Sequence, residues 1–144
     1  MGGKGGVKVQ ITRETDYAIR CLLYLSRKQD EITMGDEIAG EMDIPKSFLA
    51  KILQKLARAK IVKSYRGVKG GFQLAKRPDK INLLNVIEAI EGPIAMNICA
   101  VDKKMCSLSN KCSVHPVWVR LKRDMERQLE QINFQRLTMQ SHKK

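Results

Sequence analysis

The chain has 144 residues, 43% of them apolar and 29% charged, with a formal net charge of +12; that is enough for one domain with a core of its own. No apolar run approaches the roughly 20 residues a membrane span needs, and the opening MGGKGGVKVQ lacks the apolar stretch of a signal peptide, so a cytoplasmic protein without membrane partners is expected. Aromatic residues make up only 5%, which argues against a surface that grips single strands by base stacking.

In chain order, residues 1–9 read as a flexible glycine-rich tail. GGKGG lacks the spacing of a phosphate loop and no strand precedes it. From Thr12 to Lys28 the pattern is helical, with Ala18, Cys21, Leu22 and Leu25 on one apolar stripe. Cys21 sits on that stripe as a small core residue. Thr33 to Ala59 reads as helix, turn, helix. Thr33, Asp36 and Glu37 open the first helix, and Pro45 suits the first turn of the second. The second helix turns Phe48, Leu49, Ile52, Leu53 and Leu56 inward and carries Lys46, Ser47, Lys51, Lys55 and Arg58 around the rest. IVKSY (61–65) alternates as a strand does, RGVKGG (66–71) is a glycine-rich basic turn, and FQLA (72–75) is a second short strand. A basic helix-turn-helix followed by a hairpin with a cationic tip is the arrangement of a winged helix.

The charge supports this reading. Residues Ile44 to Pro78 hold ten Lys and Arg and no acid, whereas the rest of the chain holds 17 basic and 15 acidic residues. Nearly all the excess lies in one segment, the footprint of a polyanion partner. Lys46, Ser47 and Lys51 are the candidate residues of the recognition helix. Ser64, Arg66, Gly67 and Lys69 are those of the wing, with Arg66 suited to the negative potential of a minor groove.

Asn82 can cap a further helix, with Leu83, Val86, Ile87 and Ile90 facing inward and Gly92-Pro93 as its stop. A loop over 93–115 then carries Cys99, Cys106, Cys112 and His115 at spacing C-x6-C-x5-C-x2-H. From 116 to about 137 the chain is helical again, with Val117, Leu121, Met125, Leu129 and Ile132 on a stripe. An amphipathic helix with little core beside it suits packing against a second copy, so a homodimer is expected. Residues 138–144 read as a frayed tail. The expected architecture is mainly α with a small β-wing: a winged helix-turn-helix DNA-binding domain over 10–92, the cysteine loop, and a long C-terminal dimerisation helix.

Three thiols and an imidazole in 17 residues admit several chemistries. In a reducing compartment, clustered cysteines favour metal over disulfide. Three Cys and one His satisfy tetrahedral Zn²⁺. The same thiolates suit an iron–sulfur cluster, where a non-Cys ligand raises the potential. A metal-free redox role is the third option, and a small electron carrier is a remote one. Cys112 with His115 could form a thiolate–imidazolium pair, but that would leave the basic wing unexplained, and no enzyme is expected.

The chain resembles the IscR/NsrR-like (Rrf-two) family of winged-helix iron–sulfur transcription regulators. The residues carrying the resemblance are TDYAIRCLLYL (15–25), IPKSFLAKILQKLARAKIVKSYRGVKGGFQLA (44–75), INLLNVIEAIEG (81–92) and the cysteine run followed by Trp118. The resemblance implies a homodimeric regulator of double-stranded DNA, reading a roughly palindromic operator. It implies Cys99, Cys106 and Cys112 as cluster ligands. Two positions compete for the fourth. His115 matches the ligand of a [2Fe–2S] cluster in the IscR type, and Asp16 matches the carboxylate that completes a [4Fe–4S] cluster from the partner subunit in the NsrR type. The imidazole three residues beyond Cys112, continued by HPVW, favours His115 and [2Fe–2S]. The chain departs from the family in its first cysteine gap, x6 in place of x5. Ala50 stands where the IscR type has a glutamate that discriminates DNA site classes.

Overall fold

The structure, a computed structural model, describes residues 11–94 and 113–141. Cys99, Cys106 and Cys112 lie outside the described residues. The elements are α1 (Arg13–Arg27), α2 (Gly35–Glu41), α3 (Lys46–Arg58), β1 (Val62–Tyr65), β2 (Gly71–Leu74), a 3-10 turn at Pro78–Lys80, α4 (Leu83–Glu91), α5 (His115–Glu130) and α6 (Phe134–Ser141). Among the described residues no helix is long and apolar enough to cross a membrane.

Helix α1 starts where Thr12, in extended backbone, accepts a hydrogen bond from the Thr15 amide at 3.3 Å, an N-cap that satisfies one orphan donor. Its stripe of Ala18, Cys21, Leu22 and Leu25 is fully buried. Around it pack Ile38 of α2, Ile52 and Leu56 of α3, Val86 of α4 and Phe134 of α6.

Helices α2 and α3 end in the same way. Ile44 N–H bonds back to Ala39 O, and Ile61 N–H to Leu56 O. The intervening residues, Asp43 (φ 54°) and Lys60 (φ 64°), are left-handed. These are Schellman endings with non-glycine residues at the left-handed position. Each delivers a buried isoleucine, Ile44 or Ile61, onto the helix it has just left.

The wing is an antiparallel pair in which Val62 faces Leu74 and Tyr65 faces Gly71. A third extended piece joins it. Thr33 exchanges two backbone hydrogen bonds with Phe72, at 2.9 and 2.8 Å. A side chain at Gly71 would put a Cβ 2.5 Å from Thr33 O, so only glycine allows this approach. Thr33 therefore does not open α2; Met34 precedes the helix, with no side-chain cap.

Asn82 caps α4 through a capping box shared with Asn85. Leu84, Val86, Ile87 and Ile90 are the residues it buries, with Leu83 only partly covered.

The C-terminal region corrects the sequence expectation of one helix over 116–137 and a frayed tail. Helix α5 stops at Glu130 because the next residues pair with the segment before α4. Leu83 N–H donates to Ile132 O (2.9 Å), Phe134 N–H donates to Ile81 O (3.0 Å), and Asn82 and Asn133 form a bridge. Asn133 then caps a new helix, accepting from Arg136 N–H at 2.9 Å. Phe134 is fully buried, so α6 belongs to the same core as α1, α3 and α4. Helix α5 differs: none of its residues is buried. Met125 and Leu129 lean on Leu84, Ile87 and Ile94, whereas Val114, Val117 and Leu121 stay 41%, 42% and 38% exposed.

Candidate functional site

One side of α3 is held in the core by Leu49, Ile52, Leu53 and Leu56. The opposite side exposes Ser47, Ala50, Lys51, Gln54 and Arg58, which at 3.6 residues per turn share an arc about 100° wide. The helix begins at Pro45 without a side-chain cap and without an acid in its first turn. Its first N–H groups and positive dipole end are thus open to an anion, and a phosphate oxygen suits them. Lys46 at that end pairs with Asp36 of α2 at 3.4 Å, both side chains 75% exposed. An ion pair so exposed is worth little, so Lys46 can exchange Asp36 for a phosphate.

The wing tip is equally open. Arg66, Gly67, Val68 and Lys69 are exposed, and Gly67 takes φ 104°, which a side chain would disfavour. Ser64 points from an exposed position of β1. The base of the wing is braced by a short relay: Tyr65 Oη donates to Gln73 Oε1 (3.2 Å), and Gln73 Nε2 donates to Gln29 O beyond α1 (2.9 Å). The structure thus leaves Lys46, Ser47, Lys51, Ser64, Arg66, Gly67 and Lys69 on exposed parts of α3 and the wing. Gln54 and Arg58 share the α3 face; the sequence placed Arg58 on the outer side of the helix but made neither a candidate contact. The signal was available: they continue the spacing that starts at Ser47 and Lys51.

Of the described candidate metal ligands, His115 opens α5. Its Nδ1 is buried and has no hydrogen-bond partner among the described residues. A buried imidazole nitrogen without a partner is unfavourable, and a metal ion would satisfy it, so His115 fits the ligand role. Asp16 lies in the first turn of α1 with its side chain 55% exposed, ion-paired to Arg20 at 3.1 Å. Arg20 also donates to Met42 O in the turn between α2 and α3, at 3.4 Å. Asp16 is therefore accessible but already has a counter-charge. Cys21 is sealed in the core, where burial pushes its thiol up to about 12; it stays protonated and unreactive at neutral pH.

Residues 11–140 match the sequence model of the Rrf2 family, described as an iron-dependent transcriptional regulator. The chain belongs to the Rrf2 family. NsrR, an HTH-type transcriptional regulator of Bacillus licheniformis, is 32% identical over 111 residues, covering 76% of this chain and 78% of that protein. Among solved structures, T. potens IscR superposes with a TM-score of 0.72 at 20% identity, over 92% of this chain and 88% of that one. CymR, titled the global cysteine regulator of B. subtilis, also gives 0.72, at 23% identity over 92% of this chain and 98% of its own. This Rrf2 protein is thus a DNA-binding transcription regulator of winged-helix fold, and not an enzyme.

Proposed function

We propose that this Rrf2 protein acts as a homodimer on a roughly palindromic duplex, one half-site per subunit. Ser47, Lys51, Gln54 and Arg58 meet base edges and phosphates in the major groove, where Gln54 suits the N6/N7 edge of adenine. Lys46 and the open end of α3 take a phosphate. Ser64, Arg66, Gly67 and Lys69 bring the wing to the adjacent minor groove. The observation that carries this reading is the exposed α3 face with an uncapped, acid-free N-terminus, next to a wing tip bearing Arg66 and Lys69. The exposed Val117 and Leu121 on α5, with Val114 just before it, support the second copy.

For the sensor, Cys99, Cys106 and Cys112 supply three thiolates and His115 the fourth ligand of an iron–sulfur cluster, [2Fe–2S] rather than [4Fe–4S]. Asp16 of the partner subunit is the competing fourth ligand. The Nδ1 of His115, without a partner among the described residues, supports the first choice. Such a cluster, when bound, supplies one-electron chemistry and sensitivity to oxidants and nitric oxide. His115 begins α5, so a ligand change there acts on the helix assigned to dimerisation.

Anaerobic purification with iron, sulfide and zinc assays tests the sensor. About two iron and two sulfide per chain supports His115, and about four of each moves the fourth ligand to Asp16. Zinc alone makes the motif structural, and no metal after reconstitution leaves a cluster-free regulator. Selecting duplexes from a random-sequence pool tests the operator: enrichment of an inverted repeat is expected, and no enrichment would remove the sequence-specific reading.

A further inference from the structure

Lys55 belongs to the basic segment and sits in the last turns of α3, so by charge alone it counts as a phosphate contact. The structure turns it inward. Its Nζ lies 3.0 Å from Glu14 Oε2 in the first turn of α1, and it donates to the backbone carbonyl of Ile90 in the last turn of α4 at 3.3 Å. The side chains are 35% and 24% exposed. Glu14 Oε2 is itself buried and accepts no well-aligned hydrogen bond, so the Lys55 ammonium is its compensating charge. A cation that also meets a carbonyl at a helix C-terminus gains from the helix dipole.

The next residue of α4 completes the joint. Glu91 Oε2 accepts from Thr12 N–H (3.0 Å), from Thr12 Oγ1 (3.0 Å) and from Thr15 Oγ1. Two consecutive residues at the end of α4 thus grip the start of α1 and, through Lys55, the recognition helix. Leu49, Ile52, Leu53 and Leu56 anchor α3 to the core along one stripe, and apolar contact of that kind is non-directional. The Lys55 contacts add direction: they fix the rotation of α3 about the stripe, and with it the aim of Ser47, Lys51, Gln54 and Arg58.

We propose that Lys55 is a positioning residue for DNA recognition and not a phosphate contact, setting the pose of α3 through Glu14 and the end of α4. The proposal rests on the duplex-binding reading above. It also makes Ile90 and Glu91, which precede the cysteine stretch in sequence, the place where a shift at that end of α4 reaches the recognition helix.

The test compares full-length wild type with Lys55→Met, Glu14→Gln and Lys51→Met. Two probes are used: a duplex that the wild type enriches from a random-sequence pool, and a mixed-sequence duplex of equal length. Lys55→Met and Glu14→Gln should each weaken binding to the enriched duplex by roughly three- to thirtyfold, with the slope of log Kobs against log salt unchanged. Lys51→Met should instead lower that slope by about 0.9, the loss of one phosphate contact. Glu14→Gln is the deciding variant, because it removes a negative charge and conserves shape. If Lys55 acted through charge alone, Glu14→Gln would bind as well as wild type or better. Equal or tighter binding by Glu14→Gln on the enriched duplex would overturn the proposal, as would a slope for Lys55→Met lowered like that of Lys51→Met. Glu14→Gln decides alone if Lys55→Met does not fold. A wild type that enriches no duplex from the pool would remove the sequence-specific reading itself, and the proposal with it.

Discussion

Helices α3 and α5 are both amphipathic, yet α3 buries Leu49, Ile52, Leu53 and Leu56 whereas α5 buries nothing. The difference lies in what the chain places beside them. Helix α3 has α1, α2, α4 and β1 against its apolar stripe, and four buried Leu and Ile side chains contribute about 1.5–3 kcal/mol each. Helix α5 has the side of α4, which takes Met125 and Leu129 and stops there. The same kind of apolar stripe is therefore core in one helix and open surface in the other. What remains exposed on each helix differs in kind: cations and Gln54 on α3, Val117 and Leu121 on α5.

The contrast can be broken most strongly at Ile52. Ile52→Ala should lower the unfolding free energy by about 2–5 kcal/mol in a denaturant titration, and a loss below about 1 kcal/mol would mean that α3 is not anchored as described. On α5 the effect should fall on assembly. Replacing Val117 and Leu121 together by Asp places charges in an apolar contact, where they are strongly disfavoured. Light scattering should then report a monomer, with far-UV circular dichroism retained; a persisting dimer would assign the interface elsewhere.

Two smaller effects sharpen the comparison. Thr33 Oγ1 is buried, without a partner among the described residues, where the extended segment at Thr33 meets the wing. Thr33→Val keeps the β-branched shape and removes the orphan hydroxyl, and should raise stability by about 1 kcal/mol; a loss would reveal a partner for the hydroxyl. At the seam between α4 and α5, burial and then the neighbouring Glu126 raise the Glu88 carboxyl above its ordinary range, with Lys122 opposing. A raised carboxyl binds its proton more tightly in the folded state. Stability therefore falls as pH rises from the ordinary carboxylate value through the raised one, and the penalty is complete above it. Glu88→Gln should give a small rise in Tm at pH 7 that vanishes at acidic pH. An equal rise at both would trace the gain to something other than ionisation.

The parts of this fold that local patterning dictates were legible in the sequence. The 3.6-residue spacing of α1, α3 and α4, the Asn82 cap and the alternation around RGVKGG all follow from contacts within a few residues. The missed features depend on distant backbone. Helix α5 ends at Glu130 because residues 132–134 pair with 81–83, and the stripe ending in Ile132 carries no local sign of that break. Thr33 looks like a cap by composition, yet its backbone is taken by Phe72. Asp43 and Lys60 end their helices in a conformation that usually signals itself through glycine, so the positions of both endings were legible but their left-handed geometry was hidden. On the candidate interface, the basic run revealed a polyanion-binding segment but not which cations face outward. Lys55 and Lys51 are indistinguishable by charge, and only packing turns one toward Glu14 and leaves the other exposed.

On the proposed reading, the outward face of α3 and the wing tip together bind duplex DNA. The most direct test titrates wild type and the Arg66→Ala, Lys69→Ala double variant against one duplex across a range of salt. Binding by the wild type should weaken steeply with salt, and the double variant should bind more weakly, with a slope shallower by about 0.9 for each phosphate contact removed. An affinity and slope unchanged from wild type, in a variant that remains folded, would contradict the account.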